Sequence, residues 1–187
     1  MPISSSPSRY SAVAQGFHWI IAGLIVTQFT LAWMADDLPL GMHKLALLAR
    51  HKSFGMTVLM LAVLRLLWRL FNRPPELPAG MSTAERILAK GTHVLFYILL
   101  FAMPLTGWLM SSAKNYSVSW FGRFTWPDFI GQNEQAFEML KTTHHTLGWL
   151  LLALAILHVL AALKHHFWNK DDVLRRMLPF TKSEKRT

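Results

Sequence analysis

Residues 144–158 read HHTLGWLLLALAILH, an apolar run that begins and ends with histidine. His144 and His158 are 14 residues apart. In a helix of about 3.6 residues per turn they therefore share one face, roughly 21 Å apart along the axis. Ionisable side chains inside a membrane span are costly and usually face the bundle interior, and neutral imidazole is a common axial ligand of haem iron. One metal ion cannot bridge this distance, so the spacing predicts two sites, one near each membrane face.

The composition around this run is that of a membrane protein. Hydrophobic residues make up 52% of the 187 residues, including eight Trp and twelve Phe, which is more than a soluble domain of this size needs. Four apolar segments reach membrane-spanning length with their flanking residues, at 17–35, 54–71, 94–112 and 147–163. The sequence predicts an all-α integral membrane four-helix bundle. We expect one transmembrane domain over residues 1–187, with helices at about 13–35, 51–71, 91–112 and 143–168.

Basic residues cluster at the ends of the apolar runs, so the net charge of +9 is better explained by topology than by a nucleic-acid surface. Twelve Lys and Arg fall on one predicted side of the membrane and six on the other. The positive-inside rule then places both termini and the connector NRPPELPAG in the cytoplasm, and loops 36–50 and 113–143 outside. The opening residues MPISSSPSRYSAVAQ lack a signal-peptide pattern, so we expect the first apolar segment to remain in the mature protein.

Depth in the membrane selects partners for the two histidines of the last helix. His18 enters on the predicted cytoplasmic side, where the last helix has reached His158, whereas His51 at the outer mouth of the second helix lies level with His144. The sequence therefore predicts two bis-histidine pairs. For each histidine alone, an interhelical hydrogen bond or an interfacial position is the competing interpretation. The chain has no cysteine, so any haem would be held non-covalently.

Gly55, Gly148 and Arg65 lie on the same helix faces as the predicted histidine ligands. Gly55 and Gly148 each come four residues after a histidine of the outer pair, so each leaves bare backbone one turn deeper, where a flat macrocycle fits. The alternative is small-residue helix packing. Arg65 comes 14 residues after His51 and is expected near the inner site, either pairing with haem propionates or extending to the headgroups. Pro104 and Gly107 are expected to kink or thin the third helix. The change either opens space for a cofactor or only adjusts helix packing.

The remaining histidines have weaker assignments. His93 opens the third predicted helix without a level partner, and we interpret it as structural or interfacial, with contact to a quinone as the alternative. His43 is a weaker alternative to His51. His165 and His166 are expected at the inner headgroup level, with no chemical role.

The chain resembles the bacterial cytochrome b561 family, the di-haem four-helix cytochromes of the inner membrane. The likeness covers nearly the whole chain and lies in FHW, HKSFG, RLLWR, GTHVLFY, the span from HHTLG to LH, and the closing ALKHHFWNKDDVLRRML. It implies two non-covalent haem b groups with axial ligands at His18, His51, His144 and His158. It further implies an inner-membrane carrier that passes electrons between quinone, with ubiquinone as substrate, and a periplasmic donor or acceptor, either a redox protein or a small molecule. The doublet of His144 and His145 departs from the family pattern, and helical phase favours His144.

Two other function classes compete with electron transfer. A proton or metal-ion transporter would use the intramembrane His and Arg side chains. This function does not explain why the histidines form pairs at matching depths. A haem-containing membrane anchor would need a separate redox enzyme for turnover. The outer loop would then be the docking surface, through Trp120, Phe121, Trp126 and Phe129.

Overall fold

Four long helices form the molecule in the computed structural model, which describes residues 9–78 and 80–180. They are α1 (Ala12–Asp36), α2 (Met42–Phe71), α3 (Thr83–Ala113) and α4 (Glu134–Lys164). All four are long and apolar enough to cross a membrane, α4 together with the π-helical turn that follows it. Large apolar side chains such as Val26 (67% exposed) and Leu157 (62% exposed) cover their outer faces, which suits lipid as the surrounding solvent. The predicted all-α membrane bundle is confirmed.

Helices α2, α3 and α4 begin before their apolar runs, and polar side chains cap the starts of α3 and α4. Helices α2, α3 and α4 begin at Met42, Thr83 and Glu134, rather than near residues 51, 91 and 143. Before α3, the Ser82 hydroxyl accepts from the Glu85 backbone N–H while the Glu85 carboxylate accepts from the Ser82 N–H, a complete capping box. Before α4, the Asn133 side chain accepts from the backbone N–H of Ala136.

The loop between α3 and α4 contains a β-hairpin that was not predicted from the sequence. Strand β1 (Val118–Trp120) pairs antiparallel with β2 (Phe124–Trp126), and the turn between them contains Phe121 and Gly122 at positive φ. The buried Ser53 hydroxyl of α2 donates to the backbone carbonyl of Ser119 and accepts from the N–H of Phe121. The hairpin thus packs against the first half of α2, near Ser53. We call this end of the bundle the hairpin end, and the opposite end, which carries residues 9 and 180, the terminal end.

Helix pairing leaves space inside the bundle. Helix α1 packs along α2 and α3 along α4, while within the described residues α4 has no close backbone packing with α1 or α2. One apolar core cluster joins α1, α2 and α3 through Ile21, Val58, Ala62 and Leu100. This cluster lies one turn beyond His18 and about two turns beyond His51, so it forms an apolar layer between the two histidine levels.

Beyond α4, the chain turns back at the terminal end. A π-helical turn (His165–Asn169) leads to the left-handed residue Lys170 and then to the short helix α5 (Val173–Met177). Single π-helical turns are uncommon and are often associated with function.

Candidate cofactor sites lined by histidine

The four histidines selected by depth come together as two pairs across the helices. At the hairpin end, the ring centroids of His51 and His144 are 6.3 Å apart; at the terminal end, those of His18 and His158 are 6.2 Å apart. Imidazole nitrogens bind first-row metals at about 2.0–2.1 Å, with the ring centroid roughly 1.1 Å behind the nitrogen, so imidazoles on opposite sides of one metal have centroids about 6.2–6.4 Å apart. Both separations match that distance.

Each histidine of the hairpin-end pair is oriented by a hydrogen bond to a neighbouring helix. His51 Nδ1 lies 3.2 Å from the backbone carbonyl of Gln28 on α1. His144 Nδ1 lies 3.1 Å from the carbonyl of Met103 and 3.1 Å from Oγ1 of Thr106, both on α3. An Nδ1–H that donates to such an acceptor leaves the neutral Nε2 free as a metal ligand, the usual arrangement of ligating histidines.

Glycines provide the space that the hairpin-end pair uses. A Cβ on Gly107 would lie 3.1 Å from Cε1 of His144, so the bare backbone of α3 lets this imidazole approach. A Cβ on Gly55 would lie 2.9 Å from Nε2 of Gln28, whose side chain covers that stretch of backbone. At Gly148 a Cβ would meet only Met103 Cε at 3.7 Å, an ordinary contact. The need for glycine is therefore strongest at Gly107, which was expected, together with Pro104, to kink or thin the third helix and open cofactor space or only adjust packing.

A cavity of about 310 Å³ lies between the helices at the hairpin end, within the usual range of ligand pockets. Residues from all four long helices line it, including the pair His51 and His144 and the glycines at 55, 107 and 148. Gln28 also lines it, and its buried Oε1 has no hydrogen-bond partner in the described part of the chain. A mostly apolar space between helices with a few inward polar groups is the usual form of a cofactor pocket.

The terminal-end pair has a third histidine beside it. His93 of α3 has its ring centroid 6.2 Å from that of His158, and Phe96 contacts the same ring at 5.2 Å. The expectation that His93 has no partner at its depth is wrong. Because the capping box starts α3 at Thr83, His93 lies in the third turn of the helix and reaches the depth of His158.

The spacing of the helices distinguishes His18 from His93 as the opposing ligand of His158. His18 and His93 have the same ring-centroid distance to His158, 6.2 Å, but α3, which carries His93, packs closely along α4. Helix α1 stands apart from α4 in the described residues, yet His18 reaches His158 across the gap. The gap favours His18 as the opposing ligand and leaves His93 at the side of the site.

Arginine and tyrosine side chains lie beside the terminal-end pair. The guanidinium of Arg65 is 5.9 Å from the ring centroid of Tyr97, and that of Arg69 is 5.6 Å from the same ring. Arg65 is also within electrostatic range of both His18 and His158. Nearby, burial raises the pKa of Tyr10, although Arg69 and Arg65 oppose this shift. The position of Arg65 is that expected of a cation beside an anionic cofactor edge.

The structure also gives the positions of other histidines that were named from the sequence. His145 is exposed and lies on the rim of the cavity, while His43 is exposed in the first turn of α2. His165 is buried against Asp171, its Nδ1 2.5 Å from the carboxylate. His165 was expected at the headgroup level, and its contact with Asp171 was not predicted.

Most of the aromatic groups of the outer loop pack against the bundle. Trp120 donates its indole N–H to Thr57 Oγ1 at 3.1 Å, and Trp126 packs against Trp108 with ring centroids 5.2 Å apart. Phe121 and Phe129 contact rings of the bundle but remain 45% and 64% exposed. Only these two of the four predicted docking residues offer much free surface.

Comparisons with known proteins identify the family of the chain. Residues 9–180 match the family described as prokaryotic cytochrome b561. The chain is 34% identical over 187 residues to cytochrome b561 homolog 2 of Escherichia coli (strain K12), covering 98% of each chain. It is 29% identical to the probable superoxide oxidase CybB of Yersinia pestis, over 91% of this chain and 96% of that protein. Cytochrome b561 homolog 1 of Escherichia coli (strain K12) is 27% identical, over 92% of this chain and 98% of the homolog.

Proposed function

Since the chain belongs to the prokaryotic cytochrome b561 family, we propose that it is a di-haem b-type cytochrome that transfers electrons between the quinone pool and a periplasmic donor or acceptor. Each haem b is held non-covalently, one by His51 and His144 and the other by His18 and His158. Ubiquinone is the proposed membrane substrate. Both termini are placed in the cytoplasm by the distribution of basic residues.

The observation that carries this proposal is the spacing of the two pairs. Two cross-helix histidine pairs, one near each end of the bundle, have ring centroids 6.2 Å and 6.3 Å apart, so each pair could hold one haem iron. A transporter would need polar groups at successive depths, whereas an apolar layer of Ile21, Val58, Ala62 and Leu100 separates these two levels. The pairs therefore fit two cofactors better than one conduction path.

The chain's own residues orient and tune each site. Bound haem supplies one-electron transfer at its iron. At the hairpin end, the carbonyls of Gln28 and Met103 hold the two imidazoles with Nε2 available. At the terminal end, Arg65 provides positive charge beside the pair. An apolar layer from α1, α2 and α3 lies between the two levels, which favours exchange of electrons over exchange of ions between the sites.

The primary experiment measures haem content and assigns each haem to its pair. The protein is purified in mild detergent, and the pyridine haemochrome assay counts haem b in wild type, His51→Ala and His158→Ala, with the exposed His43→Ala as control. We expect two haems in wild type and in the control, and loss of one in each ligand variant. A colourless wild type after haem supplementation would contradict the proposal and favour the transporter.

Two more variants decide the remaining assignments. Because α3 packs closely on α4, we expect His93→Ala to keep both haems and His18→Ala to lose one; the reverse result would make His93 the ligand. A wild type with two haems that exchanges electrons neither with quinol nor with soluble reductants would favour the membrane-anchor function.

A second candidate function concerns the donor at the hairpin end. One relative is named a probable superoxide oxidase, and Lys52, next to His51, lines the hairpin-end cavity together with Asp36. A cation at the mouth of a cavity attracts a small anion such as superoxide, and a carboxylate repels it. If superoxide is the donor, Lys52→Gln slows haem reduction by superoxide and Asp36→Asn accelerates it, while reduction by a neutral quinol stays unchanged. Equal rates in all three proteins would argue against this donor.

A further inference from the structure

The closing segment of the chain crosses the terminal end of the bundle. We call residues 171–178 the C-terminal strap; it contains α5 and follows the π-helical turn at the end of α4. The motif that contains it, KHHFWNKDDVLRRML, is part of the family resemblance, and no chemical role was expected of its histidines, His165 and His166. The hydrogen bonds of the strap connect the end of α4 to α1.

Buried polar contacts attach the strap to α4. His165 is 7% exposed, and its Nδ1 lies 2.5 Å from the Asp171 carboxylate. The Asp171 backbone N–H donates to the His165 carbonyl at 3.2 Å, and the same carboxylate accepts from the N–H of Val173 at 3.1 Å. These bonds fix the direction in which the chain leaves α4.

A second set of contacts attaches the strap to α1. Gln15, which is 7% exposed, donates through Nε2 to the carbonyl of Arg176 at 3.0 Å. Trp19 donates its indole N–H to the carbonyl of Met177 at 2.9 Å. Gln15 and Trp19 lie three residues before and one residue after His18, and the rings of His18 and Trp19 are in contact, with centroids 5.2 Å apart.

The strap therefore spans a gap that the helices leave open. In the described residues α1 and α4 have no close backbone packing, although they carry the two members of the terminal-end pair. The hydrogen bonds of the strap join the end of α4 to the turn of α1 that carries His18. A connection at this point limits how far His18 can move from His158.

We propose that the C-terminal strap is a positioning element for the terminal-end haem site, with Gln15 and Trp19 as positioning residues that act through His18. This inference rests on the proposed function, because it requires a haem between His18 and His158. The strap makes no contact with the hairpin-end pair among the contacts described, so its effect is specific to one site.

The test removes the two hydrogen bonds that Gln15 and Trp19 of α1 donate to the strap. Trp19→Phe removes the indole N–H and Gln15→Leu removes the amide; both single variants and the double variant are made in the full chain. The matched control is Trp108→Phe, which removes an indole N–H that donates to the Pro127 carbonyl at 3.1 Å at the hairpin end. Each haem-loaded protein is reduced and exposed to carbon monoxide, which binds a haem only when an axial position opens.

Loss of each neutral hydrogen bond shifts an equilibrium by about 2- to 13-fold, so we expect the carbon monoxide-reactive fraction of the double variant to rise roughly fivefold or more. The rise should be confined to the terminal-end haem, identified by spectra of His158→Ala and His51→Ala. The single variants should give smaller rises, and Trp108→Phe should leave the terminal-end haem unreactive.

Three outcomes would overturn the inference. They are a reactive fraction in the double variant equal to that of wild type, equal reactivity of both haems, and reactivity confined to the hairpin end. If the double variant does not fold, Trp19→Phe alone decides between the same outcomes. A wild type with fewer than two haems would instead contradict the proposed function, whereas two haems with an unreactive double variant would contradict only the role of the strap.

Discussion

Gly107→Ala is the substitution that most directly probes the hairpin-end site. The new Cβ would lie 3.1 Å from Cε1 and 3.4 Å from Nδ1 of His144. Carbon contacts are optimal at about 3.5–4.0 Å, so the imidazole must retreat by about 0.4 Å or more. The retreat stretches the 3.1 Å hydrogen bond to the Met103 carbonyl beyond the usual limit of about 3.2 Å.

The magnitude follows from these two effects. Overpacking costs about 1–3 kcal/mol, and the weakened hydrogen bond costs about 0.5–1.5 kcal/mol. Alanine also stabilises a helix by about 0.5–1 kcal/mol relative to glycine. Gly91 is the matched control, since it lies in the same helix and a Cβ there would meet nothing within 4 Å. The helix term cancels between the variants, so Gly107→Ala should be less stable than Gly91→Ala by about 1.5–4.5 kcal/mol.

Thermal unfolding in one detergent, followed by circular dichroism, measures this difference. The absorption spectrum and midpoint potential of the hairpin-end haem should change in Gly107→Ala and not in Gly91→Ala. Equal unfolding temperatures for the two variants, with an unchanged hairpin-end spectrum, would refute the reasoning that His144 depends on bare backbone at position 107.

Three further substitutions test other contacts. Ser53→Ala leaves the Phe121 N–H without its acceptor and should lower the free energy of unfolding by about 1–3 kcal/mol, measured by thermal unfolding. Thr106→Val removes one acceptor of His144 Nδ1; a less basic ligand stabilises ferric iron less, so redox titration should show a higher hairpin-end potential. Arg65→Gln removes positive charge beside the terminal-end pair and should lower that potential while the hairpin-end potential stays constant.

The sequence was most informative where helix geometry decides the outcome. Because the rise and turn of a helix are nearly constant, the spacing of His144 and His158 fixed their relative depth, and the predicted partners His18 and His51 lie beside them. The four membrane helices followed from the length of the apolar runs. Whether these histidines bind haem stays a prediction for the haem assay.

Sequence reasoning was less successful where polar residues lengthen a helix beyond its apolar run or where strands are short. His93 was assigned to the mouth of a helix, because the polar residues before it hid the start of α3, although the Ser82 and Glu85 capping pattern was readable. The β-hairpin has strands of three residues, too short for a clear pattern of alternation. The glycine in the turn of VSWFGRFTW was the available signal.

The two sites also differ in a way that depends on backbone groups, which a sequence does not display. At the hairpin end, carbonyls of Gln28 and Met103 accept from the imidazoles, which makes the ligands more basic and lowers the potential of a bound iron. At the terminal end, aromatic rings and Arg65 surround the pair, and positive charge raises the potential of a bound iron. Thr106→Val and Arg65→Gln should therefore bring the two potentials closer together. Electrons that enter at the hairpin end would run downhill to the terminal end, and this asymmetry follows from which groups face each pair rather than from the histidines themselves.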